Sequence, residues 1–176
     1  MYGARLLGPL LASLTLIACS GSSAADDALQ RVRDAGVLKW GADVQGGAPY
    51  VYEDPDHEGK LKGFEVDLAE ALAAELGVKA EFVQNDWSAL VPSLERGTFD
   101  IVLNGLEVTP ARTGRVLFTR PYYVFTSRLM ARRDDPTITG SLDSVKGKRV
   151  GTLTNSFTAD QLLAKGIEPV YYEGTD

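Results

Sequence analysis

The residues best placed to do chemistry are gathered in Asn104-Gly105-Leu106-Glu107-Val108-Thr109-Pro110-Ala111-Arg112. Thr109 reads as a helix N-cap with Pro110 at the first helical position, so a strand end, a turn and a helix start converge here. Glu107 beside Arg112 is the one pairing that suggests acid–base work. A single carboxylate next to a permanent cation, however, is a binding arrangement rather than a catalytic dyad. A second candidate is the glycine-rich stretch Ala42 to Tyr50, at the C-terminal end of a strand, where open α/β sheets bind ligands. Its glycines lack the spacing of a phosphate-binding loop, which excludes a nucleotide reading. His57 is the single histidine and lies among acids in an exposed turn, as a solvated surface residue. With one histidine and one cysteine there is no zinc cluster and no intrachain disulfide, and no cofactor or metal is expected.

The elements that must position these groups alternate along the chain. Asp26–Ala35 reads as a helix, Val37–Gly41 as a strand, and Tyr50–Tyr52 as a strand leading to the turn around His57. Gly63 opens the next helix, with Val66, Ala69, Leu72, Ala73 and Leu76 on one face and Gly77 as its stop. Glu65 and Asp67 fall in its first turn, where carboxylates favour the macrodipole. Lys79–Val83 is a second strand. Ser88–Arg96 is a helix with Ser88 as N-cap, Phe99–Leu103 a third strand, and Leu129–Ala131 a further one. Then come a helical turn at Leu142–Val145, a strand at Lys148–Leu153, a helix at Ala159–Lys165 and a strand at Pro169–Tyr172. Alternating strands and helices predict an α/β fold built on parallel sheets.

At 176 residues, 44% hydrophobic and 24% charged, the chain has the composition of a globular protein. Its formal net charge of −6 argues against a nucleic-acid partner. The N-terminus is different in kind. Arg5 is the only charged side chain in the first eighteen residues, and Leu6–Ala18 is apolar, a length that suits a secretory signal rather than a membrane span. Leu16-Ile17-Ala18-Cys19 then looks like a bacterial lipobox, with Cys19 lipidated and Gly21-Ser22-Ser23 as a tether.

Gly63-Phe64-Glu65-Val66-Asp67-Leu68, followed by Leu72-Ala73 and Leu76, resembles the signature of the bacterial family 3 extracellular solute-binding proteins, the polar amino-acid receptors of ABC importers. Trp87, Leu90, Pro92, Leu94, Gly97, Asp100, Thr109, Arg112, Phe118, Pro121 and Tyr122 follow in that family's order, with Val150-Gly151 and Ser156 after them. The resemblance covers about Val37 to Tyr172. It implies a periplasmic binding protein type II-like fold, in which two α/β lobes joined by hinge strands enclose the ligand. On that frame residues 1–19 are a lipoprotein-type signal peptide, 20–36 a tether and first helix, and 37–125 lobe 1. Residues 126–176 are a hinge strand and the start of a lobe 2 that is incomplete in this chain. The sequence then reads as the N-terminal portion of a longer receptor, or of a receptor fused to its permease.

The resemblance also implies a site. Arg112 takes the ligand's α-carboxylate, for which a guanidinium fork is suited. Trp87 stacks on the ligand, Gly105 offers backbone, Asp43 meets the ligand side chain or amino group, and Ser156 keeps a hydroxyl at the mouth of a lobe-two helix. Two residues depart from the pattern. Asn155 replaces a glycine, and Glu107 stands where the family places Thr or Ser. Three placements are open to Glu107: it pairs with Arg112 and orients it, faces a cationic group of the ligand, or points away from the cleft; the second is the favoured expectation. The implied function is a non-enzymatic, membrane-anchored receptor outside the cytoplasm that delivers a small polar solute, an amino acid foremost, to an ABC permease. The rival readings are the extracytoplasmic sensor domain of a signalling protein and an enzyme on the same fold, cyclohexadienyl dehydratase-like or lytic transglycosylase-associated.

Overall fold

The computed structural model describes residues 24–174. Cys19 and the signal segment lie outside the described residues. Helix α1 (Ala24–Ala35) leads into β1 (Val37–Ala42), which is the centre of a three-stranded parallel sheet ordered β4-β1-β5. Strand β4 (Lys79–Gln84) pairs with the whole of β1, Val37 opposite Lys79 and Ala42 opposite Gln84. Strand β5 (Ile101–Val102) pairs Trp40 with Ile101 and Gly41 with Val102. A central strand must be apolar on both faces, and Leu38, Trp40 and Ala42 are all buried. Gly41 has no side chain because the Phe99 ring occupies that space; a Cβ there would sit 2.4 Å from it.

Helix α2 (Phe64–Leu76) covers one face of this sheet. Its buried positions are Glu65, Ala69 and Ala73, an i, i+4, i+8 stripe. Leu72, expected on the core face, is instead 37% exposed, because the stripe that meets the sheet lies one step round the helix. Gly63 is demanded by geometry. Its φ is +132°, and a Cβ would come within 1.9 Å of the Tyr50 carbonyl. The short antiparallel pair β2 (Tyr52–Glu53) and β3 (Leu61–Lys62) closes the turn around His57. Its ring Nδ1 lies 2.9 Å from the Asp54 carboxylate and the side chain is mostly exposed.

The segment after β4 differs from expectation. Ser88 does not cap a helix; Trp87–Ala89 is a 3-10 turn and helix α3 runs Leu90–Glu95. The Trp87 N–H is already satisfied by the Asp43 carboxylate at 3.0 Å, and Ala89 N–H closes on Asp86 O at 2.9 Å, so no side-chain cap is needed. Leu90 is fully buried; truncating it to Ala would cost about 2–5 kcal/mol. Strand β5 is shorter than predicted, although Asp100 and Leu103 N–H still bond to Lys39 and Gly41 carbonyls.

Helix α4 (Pro110–Thr113) is a single turn with Thr109 at the N-cap position, although the Thr109 side chain makes no capping bond. The chain then crosses in extended, unladdered backbone. The strand expected at Leu129–Ala131 does not form, because among the described residues no neighbouring strand lies alongside to complete its hydrogen bonds. Beyond a 3-10 turn at Leu142–Val145, β6 (Val150–Leu153) and β7 (Pro169–Tyr172) pair in parallel around helix α5 (Phe157–Ala164). This unit has its own core of Val145, Leu162 and Ile167, separate from the clusters beneath the first sheet.

Candidate ligand-binding site

Three residues singled out from the sequence, Trp87, Glu107 and Arg112, meet against the segment that leads from β6 into α5. Arg112, on the single turn of α4, is buried to 8% exposure. A buried guanidinium needs partners on its edge and is tolerated on an aromatic face. Its Nη1 donates to both the carbonyl (2.8 Å) and the Oε2 (2.7 Å) of Glu107, and its Nη2 donates to the Asn155 carbonyl at 2.5 Å. The guanidinium carbon lies 5.3 Å from the centre of the Trp87 ring, a cation–π contact.

Glu107 is therefore found pairing with Arg112, not turned outward to await a cation. Its second oxygen, Oε1, accepts the backbone N–H of Phe157 at 3.3 Å, the first residue of α5. The Trp87 indole N–H donates to Thr154 O at 2.9 Å. Trp87, Glu107 and Arg112 thus bridge the first unit to the second at Thr154, Asn155 and Phe157. Asn155 is the only non-glycine residue with positive φ, 55°, among those described. Asn tolerates the left-handed region better than other side chains, which is why it can stand where glycine is usual.

The other predicted residues serve the frame. Asp43 is 4% exposed, and its carboxylate accepts from Gln45 N–H, the Gln84 amide and Trp87 N–H. It fixes the Trp87 backbone from below rather than pointing outward. Ser156 is also buried; its hydroxyl caps α5 by accepting from Ala159 N–H at 3.2 Å and donates to Leu153 O. Gly105 has φ +58° with the Tyr50 ring 2.9 Å from where a Cβ would stand, and its N–H is taken by the Glu65 carboxylate at 2.6 Å.

Glu65 is the residue sequence reasoning missed. It is fully buried, accepts from Gly105 N–H and from the Tyr122 hydroxyl (both 2.6 Å), and leaves Oε2 without a partner. Burial pushes its carboxyl above the usual carboxylate range, partly offset by these two hydrogen bonds. Burial and the Glu65 carboxylate likewise raise the Tyr122 phenol. The signal was its i, i+4, i+8 register with Ala69 and Ala73, which places it on the core stripe.

Two spaces flank the Glu107–Arg112 pair. A cavity of about 410 Å³ is lined by Leu106, Glu107, Tyr122, Tyr123, Phe125 and Phe157 among others, with Glu107 as its one charged liner. A smaller one of about 250 Å³ lies against Trp87, Arg112 and Asn155. The aromatic walls belong to the larger space and the buried cation to the smaller one, and both kinds of group are what sites for small polar ligands use.

Comparison with known proteins places the fold in a family. A family model, the bacterial extracellular solute-binding proteins of family 3, matches residues 38–171. The histidine-binding periplasmic protein of Escherichia coli (strain K12) is 35% identical over 129 residues, 71% of this chain and 49% of that protein. The lysine/arginine/ornithine-binding periplasmic protein of the same strain is 33% identical over the same shares. Among solved structures, an ancestral amino acid-binding protein, a precursor of cyclohexadienyl dehydratase, superposes with a TM-score of 0.73 at 30% identity, over 83% of this chain and 65% of that one. The chain spans about half the length of the curated relatives it matches.

Proposed function

The chain belongs to the bacterial extracellular solute-binding proteins, family 3, and from that premise we propose that it is the substrate-binding part of an ABC importer. In this reading a small polar solute, an amino acid, binds between two lobes and is handed to the permease. Residues 37–125 form lobe 1, and residues from 126 on form the hinge segment and the start of lobe 2; the separate cores and sheets support that division.

One observation carries the proposal. Arg112 is buried, lies over the Trp87 ring, and donates to the Asn155 carbonyl just before α5. A planar fork beside a helix N-terminus is an arrangement that grips a ligand carboxylate, and closing the units over it gives the permease its signal. A non-catalytic role fits the same geometry, because the one acid–base candidate, Glu107, is engaged by Arg112. Titration calorimetry of the intact protein with arginine, histidine and glutamine tests the reading. At least one should bind, and Arg112→Ala should weaken it by about 2–5 kcal/mol. Unchanged affinity in that variant would remove the amino-acid reading.

The same proposal places the protein outside the cytoplasmic membrane, tethered through lipid on Cys19. Two acyl chains give stable anchoring where one is marginal. Cell fractionation of wild type and Cys19→Ser is the check, with only the wild type in the membrane pellet.

A further inference from the structure

We propose that Glu107 is an internal competitor for the ligand's carboxylate: its own side chain sits in the Arg112 seat. The inference rests on the reading of Arg112 as the carboxylate anchor and goes beyond it. A carboxylate docking there needs a guanidinium N–H and a backbone N–H from the start of α5. Glu107 has both: Oε2 lies 2.7 Å from Arg112 Nη1, and Oε1 accepts Phe157 N–H at 3.3 Å. The pair is well shielded, with side-chain exposures of 10% for Arg112 and 13% for Glu107, so solvent screens the competition weakly.

A ligand carboxylate must therefore displace a tethered one. The tether gives Glu107 a high effective concentration at the seat, and the ligand has to outbid it. Displacement is sterically possible. Glu107 also lines the aromatic-walled cavity of about 410 Å³, in which no lining residue is basic, so the rotated side chain finds space there without meeting a second cation. The bridge also joins the two units directly, since Glu107 belongs to the loop after β5 and Phe157 to α5. Glu107 thus sets a threshold. Ligands bearing a free carboxylate bind more weakly than the seat would otherwise allow, while analogues lacking one are not penalised.

Matched pairs differing only in that carboxylate isolate the effect: arginine against agmatine, and histidine against histamine. Calorimetry is run on the intact wild type, Glu107→Thr and the near-isosteric Glu107→Gln. For whichever pair binds, both variants should gain roughly tenfold or more in affinity for the amino acid, with the decarboxylated partner shifting by less than about threefold. Equal shifts for both members, or a weaker amino acid, overturn the inference and leave the receptor reading intact. If neither pair binds but glutamine does, the same comparison is read on glutamine against its decarboxylated analogue 4-aminobutanamide; if glutamine binds none of the three proteins either, the receptor reading of Arg112 falls and this inference falls with it.

Discussion

The carboxylate of Glu65, in the first turn of α2, accepts a 2.6 Å hydrogen bond from the backbone N–H of Gly105, forty residues further on. The same oxygen accepts the Tyr122 hydroxyl at 2.6 Å. One buried side chain thus ties the start of the helix to the loop that carries Glu107, and to the segment that leaves the first unit. The loop's position is set from behind by a group that itself lines neither space beside the Glu107–Arg112 pair.

Glu65 makes stability depend on pH in a particular direction. Its folded-state pKa is raised above the ordinary 4.5, chiefly by burial. A raised carboxyl contributes stability that is complete below the ordinary value and is lost as pH rises through the folded value. Urea denaturation between about pH 4 and pH 8 should therefore show wild type weakening towards the upper end. Glu65→Gln keeps an acceptor for Gly105 and removes the titration, so that part of the slope should vanish. Glu65→Ala strands the Gly105 donor and should cost about 2–3 kcal/mol.

Gly105→Ala is expected to be damaging out of proportion to its size. The φ of +58° and the Tyr50 ring 2.9 Å from the new Cβ act together. Left-handed backbone alone costs about 1–2 kcal/mol, and the ring contact adds to it. Thermal unfolding reads the loss, and an unchanged midpoint would mean that the loop relaxes freely.

The turn between β2 and β3 carries the opposite pH signature. Asp54 is held down to about 2 by the Lys62 ammonium at 2.8 Å, with help from the Asp56 N–H and the His57 ring. A depressed carboxyl contributes stability above its ordinary value of 3.8 and loses it as pH falls through about 2. Hydrogen-exchange protection at the Asp54 amide, which bonds to Lys60 O at 2.8 Å, measured relative to the intrinsic rate at each pH, should fall across that acid window. In Asp54→Asn the protection should already be low at neutral pH and should change little as the pH is lowered.

Periodicity and turn chemistry foretold the positions of α2, β1, β4, β6, β7 and most of the loops, because those signals are local. Gly63 and Gly77 bracket α2 as expected, for the reasons of backbone geometry that single out glycine. What failed depended on distant partners. Ser88 looked like a cap, but Asp43, 44 residues away from Trp87, supplies the acceptor the turn needs. Leu129–Ala131 has the composition of a strand, yet pairing is a property of a neighbour. The candidate site followed the same rule. The sequence raised a Glu107–Arg112 pair among its three alternatives but favoured a ligand-facing Glu107; the structure has the pair, because the partner that decides it, the Phe157 N–H, comes from fifty residues away.

Arg112→Lys separates the shape of the anchor from its charge. Alanine at this position confuses two losses: it removes the anchor and also leaves Glu107 shielded without a counter-ion, which by itself costs about 3 kcal/mol or more of stability. Lysine keeps the charge and can still reach one Glu107 oxygen. It cannot also reach the Asn155 carbonyl, which Arg112 serves with a second nitrogen, nor offer the Trp87 ring a planar guanidinium. The variant should therefore melt within about 1 kcal/mol of wild type, while its affinity for a carboxylate ligand falls roughly tenfold to a hundredfold. The Trp87 emission of the ligand-free protein should shift as well, because its ring loses the guanidinium face and the bridge to Asn155 loosens. If the lysine variant binds as tightly as wild type, charge alone makes the seat and the planar fork has no part in it. If it unfolds with the alanine variant, Arg112 is a structural strut first, and the Trp87 stack exists to hold the two units together.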